Sequence, residues 1–110
     1  MASRNLALVA SAERLERMIR LRGDFSHVHV EAKAGHLLVK TQDKQGAQDM
    51  VARATPLGGG EYGLSFRTHS GRWEPMPVSG GLDQIVSGLL DLLGPYLDQS
   101  NINPPGEAQA

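Results

Sequence analysis

The chain has 110 residues, a length that suits one domain with a modest hydrophobic core. Hydrophobic residues make up 40% and charged residues 21% of it, which is typical of a globular protein and excludes an intrinsically disordered one. The 11 basic and 12 acidic residues nearly cancel, which speaks against nucleic acid as a partner, and the lack of cysteine excludes disulfides, thiolate nucleophiles and cysteine zinc sites.

Residues 6–22 are predicted to form an amphipathic helix. One stripe collects residues at helical spacing, namely Leu8, Ala12, Leu15, Met18, Ile19 and Arg22. On the opposite side Glu16 precedes Arg20 by one helical turn, an order that stabilises a helix by roughly 0.3 kcal/mol. Gly23 is expected to end the helix, because glycine readily adopts the backbone conformation of a helix C-terminus.

Residues 26–42 are predicted to form a β-hairpin, because apolar and polar side chains alternate with a period of two. The apolar face comprises Val28, Val30, Ala32, Leu37, Val39 and Thr41. The other face comprises His27, His29, Glu31, Lys33, His36, Leu38, Lys40 and Gln42. The loop is either Ala34–Gly35 or Lys33–His36. The longer loop is favoured, since a two-residue type I′ turn requires positive φ at both positions, and it would take His36 out of the sheet.

The segment that follows is ambiguous between strand and helix. Residues 43–49 are predicted to be a polar loop, but the apolar residues of 47–55 match helical spacing as well as strand alternation. We favour a strand over residues 50–56, because Gly46 and Pro56 leave little room for a helix.

Two more strands are predicted on either side of a turn at Ser70–Gly71. Residues 62–67 carry a large apolar side chain at every second position, which is the pattern of a half-buried strand. Residues 73–78 are extended but contain Pro75 and Pro77, which cannot donate a ladder hydrogen bond. This strand is therefore expected at an edge of the sheet.

The last element is predicted to be a helix over residues 82–93. Its buried stripe comprises Leu82, Ile85, Val86, Leu89 and Leu93. Gly94–Pro95 is expected to end it, and residues 98–110, rich in proline, asparagine and glutamine, are expected to form a disordered tail.

The element order predicts an α+β fold: a two-layer sandwich in which an antiparallel sheet of four or five strands carries both helices on one face. We expect residues 1–97 to form this single domain. The other face of the sheet would then be left to solvent or to a partner. No segment is long and apolar enough to span a membrane, so we expect a soluble, cytoplasmic protein.

Three residues of the hairpin suggest a metal site. His27, His29 and Glu31 stand two apart, so on a strand their side chains point the same way, and imidazole and carboxylate suit zinc, iron, nickel or copper. Lys33 and Lys40 on the same face would repel a cation. We therefore favour the simpler interpretation, polar residues on a solvated sheet face, and expect no cofactor.

The open face is the better candidate for function. Its expected apolar centre, Leu38 and Val51, is ringed by polar side chains, as in protein interfaces. Trp73 either joins this surface or covers the core beneath the second helix. The predicted interaction surface comprises His27, His29, Leu38, Lys40, Val51, Arg53, Arg72 and Trp73.

No nucleophile, base and orienting group stand together in the sequence, so no catalytic residue is assigned. We therefore expect a small interaction or regulatory module that binds a protein partner or a second copy of itself. Two alternatives stay open: a metal-binding protein that uses His27 and His29, and a ligand carrier or enzyme with its pocket between sheet and helices.

Overall fold

The fold is a five-stranded antiparallel sheet in chain order, β1-β2-β3-β4-β5, preceded and followed by a helix. The computed structural model describes residues 6–68 and 70–97, so the expected disordered tail lies outside the described residues. The elements are α1 Leu6–Arg20, β1 Val28–Lys33, β2 His36–Gln42, β3 Gln48–Gly58, β4 Glu61–Arg67, β5 Trp73–Gly80 and α2 Leu82–Leu97.

Both helices cover the same face of the sheet, which confirms the predicted α+β sandwich. The core between the layers comprises Leu8, Ala12, Leu15, Ile19, Val28, Leu37, Val39, Ala52, Ala54, Leu64, Ile85, Val86, Leu89, Leu93 and Leu97. The strand members alternate along each strand with side chains that face away from the helices. Burial of this apolar area is the main favourable term in folding. No helix in residues 6–68 and 70–97 is long and apolar enough to cross a membrane.

The first helix packs with its predicted stripe, except at its end. It ends at Arg20, two residues before the predicted end, and Arg22 is exposed in the turn that follows. On the buried side, the Tyr62 hydroxyl of β4 donates to Ser11 Oγ at 3.1 Å, which ties the helix to the middle of the sheet.

The β1–β2 loop is the two-residue Ala34–Gly35, so the preference for the longer loop was wrong. Lys33 pairs with His36, which therefore stays in the sheet. Ala34 has φ 54° and Gly35 has φ 83°, the positive pair of a type I′ turn. Positive φ costs an alanine about 1–2 kcal/mol. The turn forms nevertheless, because this register lets both flanking strands bury their apolar faces, which stabilises the protein by more than the strain costs.

We expect Ala34→Asn to stabilise the protein by about 1 kcal/mol, because asparagine tolerates positive φ and Asn-Gly is the preferred type I′ pair. Ala34 is exposed, so the change alters no core contact. Gly35→Ala is the control of opposite sign: a Cβ there meets nothing within 4 Å, so backbone strain alone should destabilise the protein. Urea unfolding measures both, and a neutral Ala34→Asn would contradict the strained turn.

The ambiguous segment is a strand, β3, as favoured from the sequence. Its pairing with β2 shifts between Val39 and Lys40, since Val39 pairs with Ala52 whereas Lys40 pairs with Met50. Val51 is thus the unpaired residue of a β-bulge, which interrupts the alternation of the strand.

Each edge of the sheet is protected by specific side chains. At β1, Glu16 of α1 accepts the Val30 N–H at 2.8 Å and Arg20 donates to the Val28 carbonyl at 2.9 Å. These side chains satisfy backbone groups that an edge strand otherwise leaves unpaired. The opposite edge is β5, where Pro75 and Pro77 offer no N–H, so the predicted edge position is confirmed.

The second helix does not end at Gly94–Pro95 as expected but continues to Leu97. Leu97 is fully buried, and its carbonyl accepts a hydrogen bond from Nε2 of His27. Packing of this last turn outweighs the loss of the one N–H that proline cannot donate.

Candidate interaction surface

The sheet face turned away from the helices, here called the open face, follows from the strand register. Leu38 pairs with Glu31 and Arg53, Arg53 pairs with Ser65, and Arg67 pairs with Trp73, so these side chains point the same way. The open face includes His29, Glu31, Lys33, His36, Leu38, Lys40, Met50, Arg53, Thr55, Glu61, Ser65, Arg67, Trp73 and Pro75. A surface depression includes Leu38, Lys40, Val51, Arg67 and Pro75 in its walls and continues over the end of the sheet to Leu92.

Two arginines lie against the only tryptophan of the chain. The guanidinium carbon of Arg53 is 4.6 Å from the centroid of the Trp73 ring, and that of Arg67 is 5.2 Å from it. Both distances are within cation–π range. Arg53 reaches Trp73 diagonally across β4, whereas Arg67 is its direct partner on that strand. We call this group the Arg53–Trp73–Arg67 stack.

The guanidinium groups of the stack keep unused hydrogen-bond donors. Nε of Arg53 is buried without a hydrogen-bond partner. Neither Arg53 nor Arg67 forms an ion pair among the described residues, in contrast to Arg20 with Glu16 and Arg72 with Glu74. A buried N–H that has lost water without gaining an acceptor is costly, typically about 1–3 kcal/mol.

The open face is basic. Its four cations, Lys33, Lys40, Arg53 and Arg67, outnumber its two carboxylates, Glu31 and Glu61 at the start of β4. Glu31 accepts a hydrogen bond from Lys40, which holds the pKa of the Glu31 carboxyl below its ordinary value. This pair is compensated, so the uncompensated positive charge lies on the other three.

His36 lies beside the stack, and the positive charge of the stack affects its pKa. Nδ1 of His36 and the Thr55 hydroxyl are 2.9 Å apart. Burial, and to a smaller extent the positive charge of Arg53, lower the pKa of His36 below its ordinary value. The ring is therefore mostly neutral at pH 7 and adds no charge to the face there.

The hairpin histidines do not form the metal site considered from their spacing. His27 precedes β1, is buried, and bonds to the end of α2, so its imidazole does not join the open face as predicted. His29 is on the open face, where Nδ1 accepts a hydrogen bond from Arg20 at 3.2 Å. Among residues 6–68 and 70–97, no group of three or more histidine, cysteine, aspartate or glutamate side chains is placed to hold a metal ion.

The remaining predicted surface residues divide between the two faces. Leu38 and Lys40 lie on the open face, beside the stack. Val51, at the bulge, is half-buried and packs partly against the core, so it is not the exposed apolar centre that the alternation suggested. Arg72 lies in the loop before β5 and pairs with Glu74 at 3.6 Å, on the side opposite Trp73.

Arg67 belongs to the surface but was not singled out from the sequence. The period-two pattern of β4 places Arg67 on the face opposite to that of the buried Leu64, so the sequence did indicate that Arg67 lies on the open face. What the pattern lacked was the partner strand, because only the pairing with Trp73 shows that Arg67 joins the stack.

A pocket between the sheet and the helices gains no support from the described side chains. Those buried between the layers are apolar except for His27 and Thr41, which lie at the end of the sheet where β1 begins. The open face instead presents apolar surface and guanidinium donors side by side. Comparisons of the chain with protein-family models, with curated proteins and with solved structures find no match.

Proposed function

We propose that this protein is a small interaction module that binds a protein partner through its open face. The observation that carries the proposal is the Arg53–Trp73–Arg67 stack beside the half-buried Leu38, on a sheet face that neither helix covers. Tryptophan and arginine are the residues most enriched at the energetic centres of protein interfaces. An apolar side chain next to them adds area whose burial favours association.

The charge of the open face favours a different protein as the partner over a second copy. Pairing two open faces would bring Lys33, Arg53 and Arg67 of each copy against the same cations of the other. Like charges brought together in an interface cost several kcal/mol, roughly. A symmetric homodimer through this face would need compensating carboxylates, and among the described residues the face supplies two, Glu31 and Glu61, against four cations.

We expect Leu38→Gln to weaken partner binding about tenfold, equivalent to about 1.4 kcal/mol, because it removes the apolar contact without changing the charge. The matched control is Leu21→Gln, since Leu21 is exposed in the turn after α1 and lies outside the open face. The tagged full chain and both variants are incubated with native extract of the source cells, and bound proteins are quantified by mass spectrometry.

The proposal is supported if one protein of the extract binds equally to the wild type and to Leu21→Gln but does not bind to Leu38→Gln. Analytical ultracentrifugation of the wild type over a range of concentrations tests the homodimer. The proposal would be contradicted if the wild type is a monomer and retains every bound protein no better than the Leu38→Gln variant does. If the wild type is instead a dimer that Leu38→Gln dissociates, the partner is a second copy of this chain. Circular dichroism and urea unfolding establish that both variants are folded.

A further inference from the structure

The charge of this protein is unevenly distributed. Four cationic side chains and two carboxylates, those of Glu31 and Glu61, give the open face a net charge of +2, whereas the chain as a whole carries −1. The residues outside the open face are therefore net negative. A basic patch on a chain without overall positive charge steers a specific acidic surface towards that patch, and it does not attract polyanions to the molecule in general.

The guanidinium groups of the stack are preorganised for binding an anion. The Trp73 ring restricts the positions of both Arg53 and Arg67, which reduces the side-chain entropy lost when they bind. Nε of Arg53 is buried and lacks an acceptor, and neither arginine has a carboxylate partner among the residues that the structure describes. A carboxylate placed against the stack would accept charge-assisted hydrogen bonds from the guanidinium N–H groups other than the buried Nε of Arg53.

Peptide carboxylates fit this surface better than a single-stranded nucleic acid does. Nucleic-acid surfaces of this kind stack successive bases on several exposed aromatic rings. Trp73 is the only tryptophan, tyrosine or phenylalanine side chain placed on the described open face, and two guanidinium groups already lie against it. Phe66 and Tyr62 face the helices. Leu38, next to Arg53, offers an apolar contact that suits a peptide side chain rather than a phosphate backbone.

We infer that the open face binds an acidic segment of the partner protein, whose aspartate or glutamate carboxylates pair with Arg53 and Arg67 while an adjacent apolar side chain contacts Leu38. This inference rests on the proposed function and names the chemistry of the partner. Lys33 extends the positive strip to the hairpin end of the sheet. Lys40 contributes little in the wild type, because Glu31 already neutralises it.

The single tryptophan of the chain lies in the stack, so its fluorescence reports binding there directly. The full-length protein is titrated with a short peptide of glutamate and serine that contains one leucine, with the same peptide carrying glutamine for glutamate, and with an oligothymidylate of equal charge. Isothermal calorimetry provides a second readout that does not depend on Trp73. We expect the acidic peptide to bind at least about tenfold more tightly than the glutamine peptide, and its affinity to fall as salt rises.

Three variants that each remove one positive charge distinguish the specific contribution of the stack from the effect of net charge on binding. Arg53→Gln and Arg67→Gln should each weaken acidic-peptide binding about three- to tenfold, as expected for loss of a charge-assisted hydrogen bond. Arg14→Gln, which removes the same charge from an exposed position on α1, should change it by less than about twofold. Glu31→Gln releases Lys40 and should strengthen binding about two- to threefold, a gain that misfolding cannot produce.

Three outcomes would overturn the inference. The first is equal binding of the acidic and glutamine peptides. The second is an equal effect of Arg53→Gln, Arg67→Gln and Arg14→Gln with no gain from Glu31→Gln. The third is tighter binding of the oligothymidylate than of the peptide, which would make the face a nucleic-acid surface. The proposed function is tested separately, since a partner lost by Leu38→Gln but retained by Arg53→Gln and Arg67→Gln leaves it intact and refutes only the acidic segment.

Discussion

Replacing Leu97 by alanine should lower the free energy of unfolding by about 3 kcal/mol, the usual cost of a Leu-to-Ala change in a filled core. Leu97 is fully buried although it follows Gly94–Pro95, a pair that normally marks a helix end. The cost arises because the variant loses apolar burial and leaves a cavity beneath the last turn of α2. Urea unfolding followed by circular dichroism measures it.

A matched position on the same helix provides the control. Leu92 is 49% exposed, so Leu92→Ala should change the free energy of unfolding by less than about 1 kcal/mol. His27 gives a local readout, because its Nε2 bonds to the Leu97 carbonyl and its NMR signals should shift in Leu97→Ala. Equal costs for the two alanine variants would mean that the chain after Gly94 does not pack against the core.

The second large effect is expected at Gly88 in the middle of α2. A Cβ at this position would lie 2.5 Å and 2.7 Å from the two γ-carbons of Val78 on β5, well inside van der Waals contact. Gly88→Ala should therefore destabilise the protein by about 2 kcal/mol, through displacement of the helix or of Val78. Helix propensity alone predicts the opposite sign, because alanine is more favourable than glycine inside a helix by about 1 kcal/mol.

A double-mutant cycle identifies the clash as the cause. Val78→Ala removes both γ-carbons, so Gly88→Ala should cost at least about 1 kcal/mol less in that background than in the wild type. Thermal or urea unfolding of the wild type, both single variants and the double variant gives the coupling free energy. Stabilisation by Gly88→Ala in the wild type, or purely additive effects, would contradict the close packing of α2 on β5.

The hydrophobic pattern was sufficient for the architecture, because period determines which face of each element is apolar. The alternation in β2 and β4 and the helical stripe of α1 each matched the buried residues of the structure. The prolines of β5 identified an edge strand, since a missing N–H is a local property that no tertiary contact restores.

The errors lie where a tertiary contact outweighed a local preference. Ala34 takes positive φ because the strands on either side bury their apolar faces in that register. Helix α2 passes Gly94–Pro95 because Leu97 is buried and His27 bonds to its carbonyl. Val51 leaves the expected alternation because of a bulge, and a bulge depends on two strands and cannot be read from one.

The candidate site shows the same division. Alternation alone assigned Leu38, Lys40 and Arg53 to the face away from the helices, because side-chain direction in a strand depends only on parity. The stack was not predictable, since Arg53, Arg67 and Trp73 come from three strands and meet only through the register between them. By itself the sequence determined the elements, their apolar faces and the α+β class, which follow from local periodicity. The tertiary structure alone decided which exposed residues meet, because that depends on strand pairing and helix packing between distant segments.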